Sequence, residues 1–232
     1  EDCCESHGAE IYGKKVGTLT EGSTFSSYFG HHMTTVEGGF VSTDDTELYE
    51  LMRAKRSHGL ARECSEEVYK KYIKQYPDVD KRFMFITDGY NFRNNEFGGV
   101  LGLSQLPRLN NMIQRRREIC DKFVSILKKY DDVFHIPNFD GNSSFCLPFI
   151  LKDRSLRSDL QEHLETCGIE TRPLCSGNLL RQPFLSEYEP FKEFPKVDYL
   201  HYHGFFIGNN HLIADDEIQK LGFILDDYLR VL

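Results

Sequence analysis

Apolar and polar positions change their period several times along the chain, and each change predicts an element. Residues 14–43 alternate short apolar runs with Gly, Ser and Thr, which predicts several short strands joined by turns. Thr43-Asp44-Asp45 then offers a cap, and Leu48, Leu51 and Met52 have the spacing of a helix running to about His58-Gly59. A polar helical stretch at roughly 65–76 is closed by Pro77. "KRFMFITDGYNFRNNE" predicts a short strand followed by a loop.

From Asn95 to about Tyr130 the pattern is helical and bent at Pro107, with Leu109, Ile113, Ile119, Phe123 and Leu127 on the apolar face. A strand at 144–151, a helix at 156–167, a strand at 169–172 and another near 205–208 follow. The last helix carries Ile218, Leu221, Leu225, Tyr228 and Leu232 on one stripe. Alternating strands and helices predict an α/β unit in the C-terminal half. No internal repeat or low-complexity segment interrupts the pattern.

Composition adds limits rather than a new picture. With 232 residues, 40% hydrophobic and 28% charged, the chain can bury one large core or two small ones. The formal net charge of −8 argues against nucleic acid or an anionic membrane surface as partner. The one basic cluster, Arg115-Arg116-Arg117, lies in a helical pattern and is expected on a solvated face. No apolar run reaches bilayer length and no signal peptide is evident, so a cytoplasmic protein is expected. Seven cysteines (Cys3, Cys4, Cys64, Cys120, Cys146, Cys167 and Cys175) form no CxxC pair, which indicates neither a disulfide framework nor a zinc site. "EDCCESHGAE" opens on charged and small residues and is read as a chain entered partway through a domain.

Four segments could carry chemistry: Glu1-Asp2, Ser26 with His31, the loop "DGYNFRNNE", and "ETRPLCSGNLLRQP" at 170–183. Taken singly, Asp2 suits a loop carboxylate, Ser26 a turn hydroxyl and Asn91 a turn former. His31 and His32 are weak metal ligands as a pair, because neighbours in an extended chain point to opposite sides.

Order and spacing together say more. "ED", "GA", "TFS", a histidine pair and "EGG", followed by "GYNFR" and "TRP", resemble the DegT/DnrJ/EryC1/StrS sugar aminotransferase family over nearly the whole chain. The resemblance implies an α/β, fold-type I transferase dependent on pyridoxal phosphate (PLP), similar to aspartate aminotransferase and lacking the N-terminal part of the large domain. Residues 1–105 would be the C-terminal part of that cofactor-binding domain, 106–130 an interdomain helix, and 131–232 a small α/β domain. By the same resemblance Asp2 pairs with the pyridinium nitrogen, Ser26 binds the cofactor phosphate, and Asn91 reaches the phosphate of the neighbouring subunit. That makes a homodimer with shared sites.

One departure decides the chemistry implied. Most members of the family carry a lysine six residues before the Glu of EGG, and it tethers the cofactor; here that position is His31. An imidazole has no primary amine, so the cofactor must be held noncovalently and His31 can only move protons. A His for Lys exchange marks the 3-dehydratase branch, which uses pyridoxamine phosphate (PMP) to remove the C3 hydroxyl of nucleotide-linked 4-keto-6-deoxyhexoses. GDP-linked sugars and L-glutamate as amino donor are the implied partners, in 3,6-dideoxysugar and O-antigen biosynthesis. His32 is expected to face away and pack. "RSHGLARECSEE" holds Cys64 alone, so the iron–sulfur subtype is disfavoured and no cluster is expected.

Arg93, Arg172 and Asn178 are candidates to contact the nucleotide-sugar or the glutamate carboxylate, and equally candidates for packing. Two alternatives stay open: a nucleotide-sugar aminotransferase, which His31 opposes, and an inactive partial chain of the same family.

Overall fold

A computed structural model describes residues 1–188 and 193–230, and divides the chain into two compact units, Glu1–Leu109 and Asn110–Leu232. The first unit begins with a tight hairpin of β1 (Glu10–Ile11) and β2 (Lys14–Lys15). Tyr12 and Gly13 both take positive φ (52° and 74°), the geometry a two-residue hairpin turn demands. β3 (Ser23–Ser26) and β4 (Gly39–Ser42) then pair antiparallel, with Ser26 opposite Gly39. Asp2 adds a parallel bridge to Thr24 on the other side of β3. The close approach of the second Gly in "EGG" explains itself here: a Cβ on Gly39 would stand 2.8 Å from the carbonyl oxygen of Phe25.

α1 (Thr46–Arg56) starts where expected, because the Asp45 carboxylate accepts the Leu48 N–H at 2.9 Å. α2 (Glu66–Gln75) is capped by Ser65. The strand expected in "KRFMFITDGYNFRNNE" does not form. A 3-10 turn at Lys81–Phe83 and two isolated bridges, Leu60 to Phe85 and Ser57 to Asn91, take its place. The segment lies against the tight turn after α1 rather than against a continuous strand, so no ladder can propagate. Gly59 (φ 80°) and Gly89 permit that approach, since a Cβ on either would overlap the backbone of the other segment. α3 (Glu96–Gln105) is capped by Asn95 and passes through a 3-10 turn at Leu106–Arg108, which holds Pro107.

The second unit is built on α4 (Leu109–Leu127) and a three-stranded antiparallel sheet of order β5–β7–β6. β5 is Cys146–Ile150, β6 is Thr171–Pro173 and β7 is Gly204–Gly208. α5 (Leu156–Thr166), α6 (Pro195–His203) and α7 (Asp215–Leu229) complete it, and α6 was not anticipated from the pattern. Ile119, Phe123 and Leu127 of α4 join Leu147, Phe149, Phe205, Leu221 and Leu225 in one buried cluster. Phe149 organises it, stacked on Phe205 at 4.9 Å and edge-on to Phe123 at 5.1 Å. Within 106–130, the stretch expected as an interdomain helix, Ile119, Phe123 and Leu127 are buried in this core. Leu232, expected on the last stripe, lies outside the described residues.

The basic cluster needs a correction. Arg115 and Arg117 are half-buried, but Arg116 is only 2% exposed and donates to the carbonyl of Asn209. Asn209 in turn donates to the carbonyls of Arg116 (3.0 Å) and Ser144 (2.7 Å). Position 116 falls on the same helical face as Met112, Ile113, Ile119 and Cys120, and geometry overrides charge there. Among the described residues no helix is long and apolar enough to cross a membrane.

Candidate active site

Three of the expected residues follow one line of chain: Asp2 bridges β3, Ser26 ends it and His31 stands in the turn after it. Asp2 bridges Thr24, whose side chain shares a face of the strand with Ser26. The Ser26 hydroxyl oxygen accepts the Tyr28 N–H at 3.0 Å, so its own hydrogen is directed elsewhere. The Tyr28 carbonyl then accepts the His31 N–H at 3.1 Å, which starts the histidine turn.

A clasp closes that turn. Ser27 and Thr35 are buried and their hydroxyls meet at 2.6 Å; the Thr35 N–H donates to the Ser27 carbonyl at 2.8 Å. The Ser27 N–H donates to the Gly38 carbonyl at 3.0 Å. Gly38 (φ 154°) sits against both hydroxyls, in a conformation side chains rarely adopt. The first Gly of "EGG" is therefore the seat of the turn that presents His31.

The His31 side chain is mostly enclosed, and its Nε2 faces a Glu5 carboxylate oxygen at 3.6 Å. The Tyr28 ring meets the imidazole edge-on at 5.5 Å. His32 points into the unit, 2% exposed, with its ring 5.7 Å from that of His7. That agrees with the packing role expected of it. His7 also lies against Phe25, on the face of β3 opposite Ser26, beside a cavity of about 460 Å³.

Electrostatics separate these groups. Hydrogen bonds from the Cys4 side chain, the Cys4 N–H and the Thr24 hydroxyl hold the Asp2 carboxyl below the usual carboxylate range. Asp2 is thus an exposed, ionised carboxylate at neutral pH. Burial pushes the His7 imidazole down, and its neighbour His31 adds to the effect. Neither Glu5 nor His7 was singled out from sequence. The signal for Glu5 was its place three residues after Asp2, in a turn whose Ser6 N–H donates to the Cys3 carbonyl.

The remaining candidates are not on this line. Asn91 and Arg93 occupy the loop pinned to the end of α1, where Tyr90 and Phe92 donate N–H groups to the Lys55 and Arg56 carbonyls at 2.7 and 2.9 Å. Arg93 donates to the buried Ser57 hydroxyl at 2.5 Å and faces Glu63 at 3.3 Å. Tyr90 and Phe92 stack at 4.9 Å on either side of exposed Asn91, and line a cleft of about 670 Å³ with Arg53 and Arg56.

In the second unit, Arg172 is exposed on β6 and pairs with Glu170. Asn178 is buried and ties its loop to α6: its amide donates to Asp198 at 2.9 Å, and its N–H donates to His201 at 3.0 Å. Its side-chain oxygen accepts the Leu180 N–H at 3.0 Å, so the amide is committed to the fold on both sides.

The donor set on β3 suits a particular kind of guest. An ionised carboxylate at one end fits a protonated ring nitrogen, and a hydroxyl with a directed hydrogen fits a phosphate. The family model described as the DegT/DnrJ/EryC1/StrS aminotransferase family matches residues 1–225. The chain belongs to that family.

Among relatives, the GDP-4-keto-6-deoxy-D-mannose 3-dehydratase of Yersinia pseudotuberculosis is 36% identical over 231 residues, covering 97% of this chain and 58% of that one. The solved E. coli GDP-4-keto-6-deoxy-D-mannose-3-dehydratase with bound hydrated PLP superposes with a TM-score of 0.85 at 32% identity, covering 97% and 59%. A solved GDP-4-keto-6-deoxymannose-3-dehydratase with a trapped PLP-glutamate geminal diamine gives a TM-score of 0.84 at 32% identity, covering 96% and 59%. The chain spans somewhat under three fifths of the length of these relatives. The fold is the expected α/β, PLP-dependent transferase fold.

Proposed function

We propose that this protein is a PMP-dependent 3-dehydratase that removes the C3 hydroxyl of a GDP-linked 4-keto-6-deoxyhexose, with L-glutamate as amino donor. The observation that carries the reading is His31, which occupies the place of the family's tethering lysine on a turn closed by Ser27, Thr35 and Gly38. The names of the relatives support it, since they bring together a GDP-sugar dehydratase, PLP and glutamate.

Asp2 would hold the cofactor's ring nitrogen and Ser26 its phosphate, with Asn91 reaching the phosphate of a neighbouring subunit in a cytoplasmic homodimer. Arg93 and Arg172 are the anion-binding candidates, while the hydrogen bonds of Asn178 favour a positioning role in its loop. In this reading residues 1–105 belong to the large cofactor-binding domain and 131–232 to the small one, joined through 106–130. Held by Asp2 and Ser26, PMP would supply an amine and an electron-accepting ring. His31 moves the proton: its imidazole accepts one at a ring nitrogen and delivers one to the departing hydroxyl, which leaves as water.

Borohydride reduction of the natural protein loaded with PLP tests the reading directly. No covalent pyridoxyl adduct should form, and release of 2-oxoglutarate and ammonia should accompany C3 deoxygenation. His31→Asn should keep PLP binding and lower turnover ~10²–10⁴-fold. A lysine adduct, or full turnover by the Asn variant, would instead point to the aminotransferase alternative or to a different base.

A further inference from the structure

We propose that Cys4 is the positioning residue of Asp2, its thiol holding the carboxylate in one orientation for the guest that Asp2 receives. The inference rests on the functional reading above, in which Asp2 meets the cofactor's ring nitrogen, and deepens it. The Cys4 N–H donates to Asp2 Oδ1 at 3.2 Å. The Thr24 hydroxyl reaches the same oxygen at 3.5 Å, and the Cys4 sulfur lies 3.8 Å from that hydroxyl. Thiol, hydroxyl and carboxylate thus form one cluster at the start of the chain. The N–H and the O–H converge on Oδ1, and Oδ2 carries neither.

The backbone of Asp2 is fixed without help from any side chain. The Thr24 N–H donates to the Glu1 carbonyl at 2.9 Å, and the Cys3 N–H donates to the Thr24 carbonyl at 2.8 Å. Those bonds leave the side-chain torsions open, and an exposed carboxylate without further contacts samples several rotamers. Cys4 supplies the missing contact. Its thiol has one hydrogen and two acceptors in reach, the carboxylate and the Thr24 hydroxyl, and the charged acceptor is the stronger. The effect is mutual: the bond draws the Asp2 carboxyl down and pushes the Cys4 thiol up. Glu5, the other acid near Cys4, pushes the thiol the same way, so the hydrogen stays on sulfur. A ring N–H arriving at Asp2 then meets a carboxylate already turned, and less ordering is left for binding to do. Cys4 is half-buried, so a small substitution there removes the grip on Asp2 and leaves the bridge to Thr24 in place.

The test uses the natural protein labelled with ¹³C and ¹⁵N, and the Asp2 signals are identified by their loss in Asp2→Asn. In the cofactor-free protein, side-chain couplings should show Asp2 in a single χ1 rotamer, and its carboxyl carbon should titrate below the usual carboxylate range. Cys4→Ala should average the couplings and move the titration up towards the ordinary value. Cys4→Ser keeps a donor and should hold both the single rotamer and the depressed titration. PLP affinity, read by absorbance titration, should fall about two- to tenfold in Cys4→Ala and stay within about twofold of wild type in Cys4→Ser. Unchanged folding of each variant is checked by circular dichroism. A wild-type Asp2 that already averages its rotamers, or a Cys4→Ala protein with unaltered couplings and titration, overturns the assignment. A Ser variant as averaged as the Ala variant overturns it too, because the role claimed is that of a donor. If the wild-type protein does not bind PLP, the functional reading fails, while the couplings still decide whether Cys4 orients Asp2.

Discussion

Replacing Gly38 by Ala tests whether the histidine turn is built as described. The new Cβ would stand 2.5 Å from the Thr35 hydroxyl oxygen and 2.7 Å from that of Ser27. Both oxygens are buried and bonded to each other at 2.6 Å, so neither can retreat without breaking the clasp. The backbone adds its own cost, because φ of 154° is strained for a residue with a side chain, at about 1–3 kcal/mol. Loss of the buried hydroxyl pair adds about 1 kcal/mol. The sum is about 2–4 kcal/mol. With a urea dependence of roughly 2 kcal/mol per molar, the unfolding midpoint should fall by about 1–2 M. Gly99→Ala is the control: it lies in α3 with open space where its Cβ would go, and should be neutral or stabilising by up to ~1 kcal/mol. A Gly38→Ala protein within about 0.5 kcal/mol of wild type by urea titration would refute the clasp.

Two further outcomes follow from the charges. The Asp2 carboxyl is depressed in the folded state, so its stabilisation is fully present above its unfolded value near ~3.9 and is lost as pH falls through the folded value. Asp2→Asn should therefore flatten the acid limb of a stability-against-pH curve below about pH 4, and an unchanged limb would place the effect elsewhere. For Arg116, truncation to Ala leaves the Asn209 carbonyl without its donor and opens a cavity, and should cost about 2–4 kcal/mol by chemical denaturation. Arg116→Met should cost less, because its longer side chain fills the space that Ala leaves empty; a Met variant as destabilised as the Ala variant would mean that the lost donor, rather than the cavity, sets the cost.

The amphipathic helices were legible because their stripes are long: α1, α4 and α7 follow the spacing of their apolar residues. α6 was not, since Pro195–His203 buries no residue fully and so has no stripe to read. The strand expected in "KRFMFITDGYNFRNNE" had the right residue types, but strand formation needs a partner, and that is decided by the distant turn at Gly59. Arg116 was misjudged by its charge although its place in the stripe was visible. In the site, Asp2, Ser26 and His31 were recognisable as motif positions. Glu5 was not, because only the turn at Cys3–Ser6 and the turn after β3 together bring its carboxylate to the imidazole.

The clasp is fastened at positions 27, 35 and 38, and none of its bonds is made by the side chain at position 31. Mount and fitting are therefore separate inheritances. On the function proposed above, a lineage could exchange an amine for an imidazole at that point and keep the loop's geometry intact, so a tether and a proton carrier would be alternative fittings on one bracket. New chemistry in such a family requires no new architecture, only a change in what the bracket holds.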